Sequence, residues 1–192
     1  NELKKKDYNE FYKTLSFDME DPMDWMHTNA EGTLEYTLLF YIPKKAPMDM
    51  YRADYQPGVK LYVNKVFITD DDKELLPTWL RFIKGVIDSS DLPLNVSREI
   101  LQQNRVMAKI KSNAVKKILD KFKSLAKNDK QYIEFYQQFG KLLKEGVYQE
   151  FEHKETLTEL LRFKSSKNDG YHSFQDYVER MVKDQKAIYY IT

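Results

Sequence analysis

Cysteine is absent from the 192 residues. That excludes disulfides, thiol nucleophiles and zinc sites with Cys ligands, and it is compatible with a reducing compartment. Glycine and proline number six each, too few for a low-complexity chain. No apolar run reaches the roughly 18 residues of a membrane span. The charged N-terminus also lacks the apolar stretch of a signal peptide. Neither sign of charge dominates: 31 Lys+Arg stand against 30 Asp+Glu, for a formal net charge of +1. A dedicated nucleic-acid binder carries a basic surplus that is missing here. What remains is a globular composition, 42% hydrophobic and 32% charged, at a length suited to one large domain. The chain starts at Asn1 rather than Met and reads as a piece of a longer protein.

The first third reads as mixed α/β. Tyr8, Phe11, Tyr12 and Leu15 recur at helical spacing over Asp7 to Leu15. Asp18 to Asn29, with Pro22, reads as a loop. Thr33 to Ile42 alternates and then becomes wholly apolar, as a strand entering a sheet core does. Val59 to Thr69 is rich in β-branched and aromatic residues and reads as a second strand. A short helix over Leu75 to Ile83 and a short strand at Val86 to Asp88 follow. From Ser97 to about Lys127 there is no Gly or Pro, and Leu101, Met107, Ile110, Ala114, Ile118, Phe122 and Leu125 trace one long amphipathic helix. Lys130 to Lys144 continues in that style until Gly146, a natural stop. Glu155 to Arg162 and Ser173 to Val182 are shorter helices, and Ala187 to Ile191 is strand-like. Strands with helices between and after them point to an α/β layered fold followed by helices.

Most catalytic templates fail. There is no phosphate-binding glycine loop and no nucleophile elbow. His27, His153 and His172 lie far apart without metal-helix spacing and read as ordinary surface histidines. One segment stands out, Asp91 to Asn104. Pro93 restrains it and Ser97 is a good N-cap. Arg98 then falls at the first helical position, where the free N–H groups already carry partial positive charge. Gln102, four residues on, shares its face. A guanidinium and an amide at a helix start suit a phosphate. Local physics alone favours the ordinary alternative, a surface arginine paired with a carboxylate. Most aromatics, 14% of the chain, belong in a core. The surface candidates are Met19, Met23, Trp25 and Met26 in the first loop, and Met48, Met50 and Tyr51 in the second. Such groups adapt to varied partners.

The run LRFIKGVIDSSDLPLNVSREILQ, from Leu80 to Gln102, resembles the signature of the heat-shock protein 90 chaperones, closest to their bacterial form. Glu31-Gly32 to Tyr36, Leu39 to Pro43, Leu61-Tyr62-Val63, Val66-Phe67-Ile68, Gln138-Phe139-Gly140, Leu160 to Phe163 and Ile188 to Thr192 agree in the same order. The resemblance is to the middle domain of that family. It implies an α/β/α layered sandwich, then a coil of helices, truncated at the start of a second small α/β unit. The expected divisions are 1–96 for the large layer ending in the catalytic loop, 97–184 for the helical coil, and 185–192 for the first strand of the second unit.

The resemblance also implies a role for each candidate residue. Arg98 reaches the γ-phosphate of ATP held in a separate N-terminal domain, and Gln102 supports that contact. This reverses the reading from local physics. ATP with Mg belongs to the full-length protein, and none is expected on this chain alone, which should not hydrolyse ATP. Phe67, Trp25, Met19 and Met23 are the candidates for contact with client protein. The implied partners are unfolded or partly folded clients, the protein's own N-terminal and C-terminal domains, and a second copy joined through the C-terminal domain. Nucleic acid and membrane are not expected, and the implied location is cytoplasmic. The alternative is a client- or partner-binding scaffold whose Arg98 is structural.

Overall fold

The computed structural model describes residues 3–52, 54–70, 75–94 and 104–191. Two compact units divide at Lys121/Phe122. The first holds a five-stranded sheet of β1 (Asp24–Ala30), β2 (Tyr36–Ile42), β3 (Gly58–Val63), β4 (Val66–Thr69) and β5 (Lys84–Ser89). Their spatial order is β1-β2-β5-β3-β4. β5 is antiparallel to β2 and parallel to β3, so the sheet is mixed. α1 (Lys5–Ser16) covers one face, where Tyr12 packs 5.2 Å from the Tyr41 ring. α2 (Arg105–Leu125) reaches the other, where Asn113 Nδ2 donates to the Tyr36 hydroxyl at 2.9 Å. Tyr36 and Tyr41 are an odd number of residues apart on β2 and so point to opposite faces. Helices on both faces make the α/β/α sandwich and explain why β2 is nearly continuous in apolar residues.

Several local expectations are corrected. Asp24 to Ala30 is strand β1, where the sequence reading placed a loop. It pairs with β2 in unbroken register from Asp24↔Ile42 to Ala30↔Tyr36. The apolar partner strand, rather than local propensity, makes it a strand. The expected single strand Val59 to Thr69 is a hairpin. Asn64 and Lys65 take φ of 50° and 65° and form a two-residue turn between paired Val63 and Val66. No helix spans Leu75 to Ile83, only a 3-10 turn at Thr78–Leu80. Pro77, with ψ of 150°, is extended and interrupts the helical path, although Leu75, Trp79, Leu80, Phe82 and Ile83 are all fully buried. Met50, expected on the surface, is buried. The long helix does not run unbroken from Ser97, because Asn104 is outside α2 and caps it, accepting from Val106 N at 2.8 Å and Met107 N at 3.2 Å. Ser97 itself lies outside the described residues.

In the second unit, α3 (Asp129–Gln149) and α4 (Lys154–Leu160) enclose an aromatic row. Phe122 and Phe139 flank Phe135 at 4.8 and 5.5 Å between ring centres. Gly146 does not stop α3 but is buried inside it, and its carbonyl closes the helix on Glu150 N. A two-residue ladder of β6 (Phe163–Lys164) and β7 (Tyr171–His172) precedes α5 (Phe174–Glu179). α5 starts at a capping box of Ser173 and Asp176. The expected strand Ala187 to Ile191 is irregular chain, since no described strand pairs with it and an extended segment alone satisfies no ladder bonds. Among the described residues no helix is long and apolar enough to cross a membrane.

The centre of the sheet is tight. A Cβ on Gly85 would lie 2.2 Å from the Leu39 carbonyl oxygen and 2.9 Å from the Phe40 Cα. Backbone atoms cannot yield as side chains do, so Gly85→Ala should cost about 3 kcal/mol, read as a lower urea midpoint. Next to it, Lys84 extends its amine to the Tyr55 hydroxyl at 3.1 Å and over that ring at 5.2 Å. Burial lowers its pKa below the ordinary 10.5, and Asp49 partly opposes the shift. A folded value below the unfolded one means that burial penalises the ammonium at neutral pH. The penalty fades as pH rises towards 10.5. Lys84→Met should therefore be more stable than wild type at pH 7 and lose that advantage near pH 10.5. Urea titrations of both proteins at each pH check the sign.

Candidate functional site

Arg98 and Gln102 lie outside the described residues, which do define how the chain enters and leaves their segment. Entry is from the carboxyl end of β5. Ser89, buried to 1% exposure, donates Oγ to the Glu35 carbonyl at 3.3 Å. Ser90 N donates to the same oxygen at 3.3 Å. The Asp91 carboxylate accepts from Glu35 N at 2.6 Å. On the other side, Asn64 N donates to Ser89 O at 3.3 Å and Lys65 N to the Asp88 carboxylate at 3.1 Å. The β1–β2 connection and the β3–β4 turn therefore clamp the end of β5 from both flanks. Leu92, 3% exposed, plugs the core just beyond. Exit is at Asn104, the cap of α2. The first turn of α2 carries Arg105 and no acid, so the positive end of the helix dipole is not neutralised locally. This is an electropositive setting of the kind that favours an anion.

The client-contact candidates are separated by the sheet. Phe67 sits on edge strand β4, 50% exposed beside Val66 at 52%, with its ring edge-on to Tyr62 at 5.7 Å. Trp25 is on β1, the opposite edge, part-buried and stacked on Tyr8 at 5.1 Å. Tyr8 also bonds His27 Nδ1 at 2.9 Å. Four strand spacings, about 19 Å, lie between the two edges. Met23 is part-buried and its N–H donates to Ile42 O at 2.8 Å. Met19 stands out at 91% exposure. The structure thus puts Trp25 on one edge strand and Phe67 on the other, with Met23 just before β1 and Met19 in the segment between α1 and β1. Sequence reasoning missed Phe17, 87% exposed at the end of α1. Its signal was a phenylalanine where a helix end usually has Gly or Asn.

A cavity of about 200 Å³ is lined by Val59, Leu75, Leu76, Leu80 and Ile83 together with Arg52, Arg81, Tyr55 and Thr78. It is smaller than the roughly 300–1,000 Å³ of ordinary ligand pockets. Among the described residues no group of three or more His, Asp or Glu could hold a metal ion.

The family model described as Hsp90 protein matches residues 1–192. The chain belongs to the Hsp90 family. It is 62% identical over 196 residues to the chaperone protein HtpG of Treponema denticola, a match covering 100% of this chain and 31% of that protein. To the HtpG of Helicobacter hepaticus it is 63% identical over 190 residues, covering 99% of this chain and 31% of the relative. The chain thus spans about a third of the length of these relatives. A solved middle domain of a Plasmodium falciparum heat shock protein matches with a TM-score of 0.85 and 31% identity, over 97% of this chain and 72% of that one. The mixed sheet with covering helices is therefore the Hsp90 middle-domain fold. Within that fold, the cap at Asn104 is the described anchor on the exit side of the Arg98 segment. Asn104→Ala should cost about 1 kcal/mol and speed amide exchange at Val106 and Met107 while leaving Glu35 unchanged, as exchange mass spectrometry would read.

Proposed function

We propose that this chain is the middle-domain segment of an ATP-driven chaperone that holds non-native proteins. On this reading it supplies Arg98 to the γ-phosphate of ATP bound in a separate N-terminal domain. The observation that carries the reading is the match to the Hsp90 family along all 192 residues. The clamped entry at Ser89 and Asp91 and the capped exit at Asn104 support it, because an arginine acting across a domain boundary needs fixed ends behind it. ATP and its Mg are held outside this chain and supply the phosphoryl chemistry. Arg98 offers a guanidinium to the charge spread over the phosphate oxygens, and Gln102 places an amide beside it. In related phosphoryl-transfer systems such an arginine is worth roughly 10³ to 10⁵ in rate. A carboxylate that orients the attacking water comes from the other domain, so this chain alone does not turn over ATP.

The same reading makes residues 1–96 the layered part that ends in the catalytic loop and 97–184 the helical part. Unfolded or partly folded proteins are the clients. They are contacted by exposed apolar side chains including Met19 and Phe67, with Trp25 and Met23 behind the first. The full protein works in the cytoplasm and pairs through a C-terminal domain. The test uses ATP hydrolysis by the N-terminal domain, alone, mixed with this chain, and covalently linked to it. Linkage raises the effective concentration to the millimolar range. Stimulation in the linked protein is expected, and Arg98→Ala should return it to the level of the N-terminal domain alone, with equal circular dichroism. Equal stimulation by both forms would leave a binding scaffold and remove Arg98 from the chemistry.

A further inference from the structure

Glu35 and Tyr36 are neighbours where the chain enters β2, and between them they hold both sides of the 95–103 segment. On the entry side Glu35 acts through its backbone. Its N–H donates to the Asp91 carboxylate at 2.6 Å, and its carbonyl accepts from Ser90 N and Ser89 Oγ, both at 3.3 Å. On the exit side Tyr36 acts through its side chain, whose hydroxyl accepts from Asn113 Nδ2 of α2 at 2.9 Å. Among the described residues the hydroxyl has this one partner. The bond joins residues 77 apart in sequence and is part-buried, a setting in which a hydrogen bond is electrostatically stronger than in water. Tyr36 is itself paired on both sides, with Ala30 of β1 and with Ser89 of β5. Entry and exit are therefore anchored on one dipeptide of one well-paired strand.

Apolar packing alone does not place the start of α2 so closely. Met107, Ile110, Ala114 and Ile118 bury one face of the helix, but hydrophobic contact has no direction of its own. Among the described residues two polar contacts tie α2 to the sheet. They are Asn113 with Tyr36, and Lys121 with Asp24 of β1 at 2.7 Å. From Arg105, where α2 begins, Asn113 is about 12 Å along the axis and Lys121 about 24 Å. Without the Asn113 bond, Lys121 is the nearest polar tie, and a tilt of about 2.5° over about 24 Å moves the helix start by about 1 Å. A misplacement of that size can cost a reaction about a hundredfold. The buried side chains of the first turns resist part of the tilt, so the loss is smaller than that.

We infer that Tyr36 and Asn113 are positioning residues for the phosphate-facing arginine. Their bond sets the start of α2 against the entry at Asp91, and so fixes the two points between which the segment carrying Arg98 is hung. The inference rests on the Arg98 reading above and adds two residues from outside that segment. Neither is a nucleotide contact on that reading, because ATP is held by the separate domain. Their effect therefore falls on the rate of hydrolysis and leaves nucleotide affinity alone.

The test measures kcat and KM for ATP in the full-length protein, as wild type and as Arg98→Ala, Tyr36→Phe, Asn113→Leu, the Tyr36→Phe/Asn113→Leu double variant, and Lys121→Met. Tyr36→Phe and Asn113→Leu should each lower kcat about three- to tenfold and leave KM within about twofold. The double variant should lose no more than either single one, since both remove the same bond. Lys121→Met, at the far tie, should lower kcat less than Tyr36→Phe does. Unchanged kcat in Tyr36→Phe beside a fall in Arg98→Ala would overturn the inference and leave the Arg98 reading standing. No fall in Arg98→Ala would overturn that reading, and this inference with it. Losses that multiply in the double variant would show that the two residues do not act through their bond. An equal loss in Lys121→Met would assign the effect to general loosening of α2, and a matching rise in KM would assign it to nucleotide binding. Each of these three results refutes the positioning role.

Discussion

The layered unit depends on how β5 is inserted. It is the central strand of the five, antiparallel to β2 on one side and parallel to β3 on the other. Gly85 lets β2 approach it more closely than a side chain would permit. Lys84, just before it, lies across Gly58 of β3, where a Cβ would meet its Cδ at 2.0 Å. Small residues on one strand thus make room for backbone or side chain on the next, and the sheet closes only in this register. β5 ends at Ser89, whose buried hydroxyl and carbonyl are satisfied by two different connections. An unsatisfied polar group there would cost about 1–3 kcal/mol. Burial therefore fixes the direction in which the chain leaves the sheet.

How much of this was legible in the sequence depended on whether each element is specified locally. α1 and β2 were readable because their own residues carry the period and the apolar run. β1 was not, because Asp24-Trp25-Met26-His27-Thr28-Asn29-Ala30 becomes a strand only against β2. The hairpin at Asn64-Lys65 was missed because its second positive-φ residue is lysine, where glycine would have announced the turn. The buried stretch Leu75 to Ile83 is apolar for tertiary reasons, and Leu75, Trp79, Phe82 and Ile83 imitate a helix in their spacing. Asn104 looked like one polar residue on a long helical face until its side chain was seen capping α2. The Arg98 segment was legible mainly through the family resemblance, since local electrostatics alone favoured a surface ion pair.

The exposed apolar groups follow a different logic from the core. Phe67 stands on β4 and Trp25 on β1, the two edges of the sheet, so the sheet itself keeps them about 19 Å apart. Single exposed apolar residues are common on any protein surface and need no account. Phe17 differs because two unfavourable terms fall on one residue, a left-handed backbone at φ 57° and 87% exposure, and each would vanish with asparagine. Residue type, backbone region and exposure had to be read together to see it. The sequence shows only the first of the three.

Loop and surface place opposite demands on the same scaffold. On the role proposed for Arg98, a misplacement of about 1 Å would cost about a hundredfold in rate, and stiff anchors would serve it. The nine residues 95–103 can extend at most about 30 Å, and both ends are tied, at Asp91 by a carboxylate bond to Glu35 and at Asn104 by its cap. Away from that loop, Met19 and Phe67 leave adaptable apolar side chains on the surface. Both demands are met without conflict because the stiffness lies in backbone bonds and the adaptability in side chains. After α1 the two lie together: hydrogen bonds fix Asp18 and Glu20, while Phe17 and Met19 stay exposed.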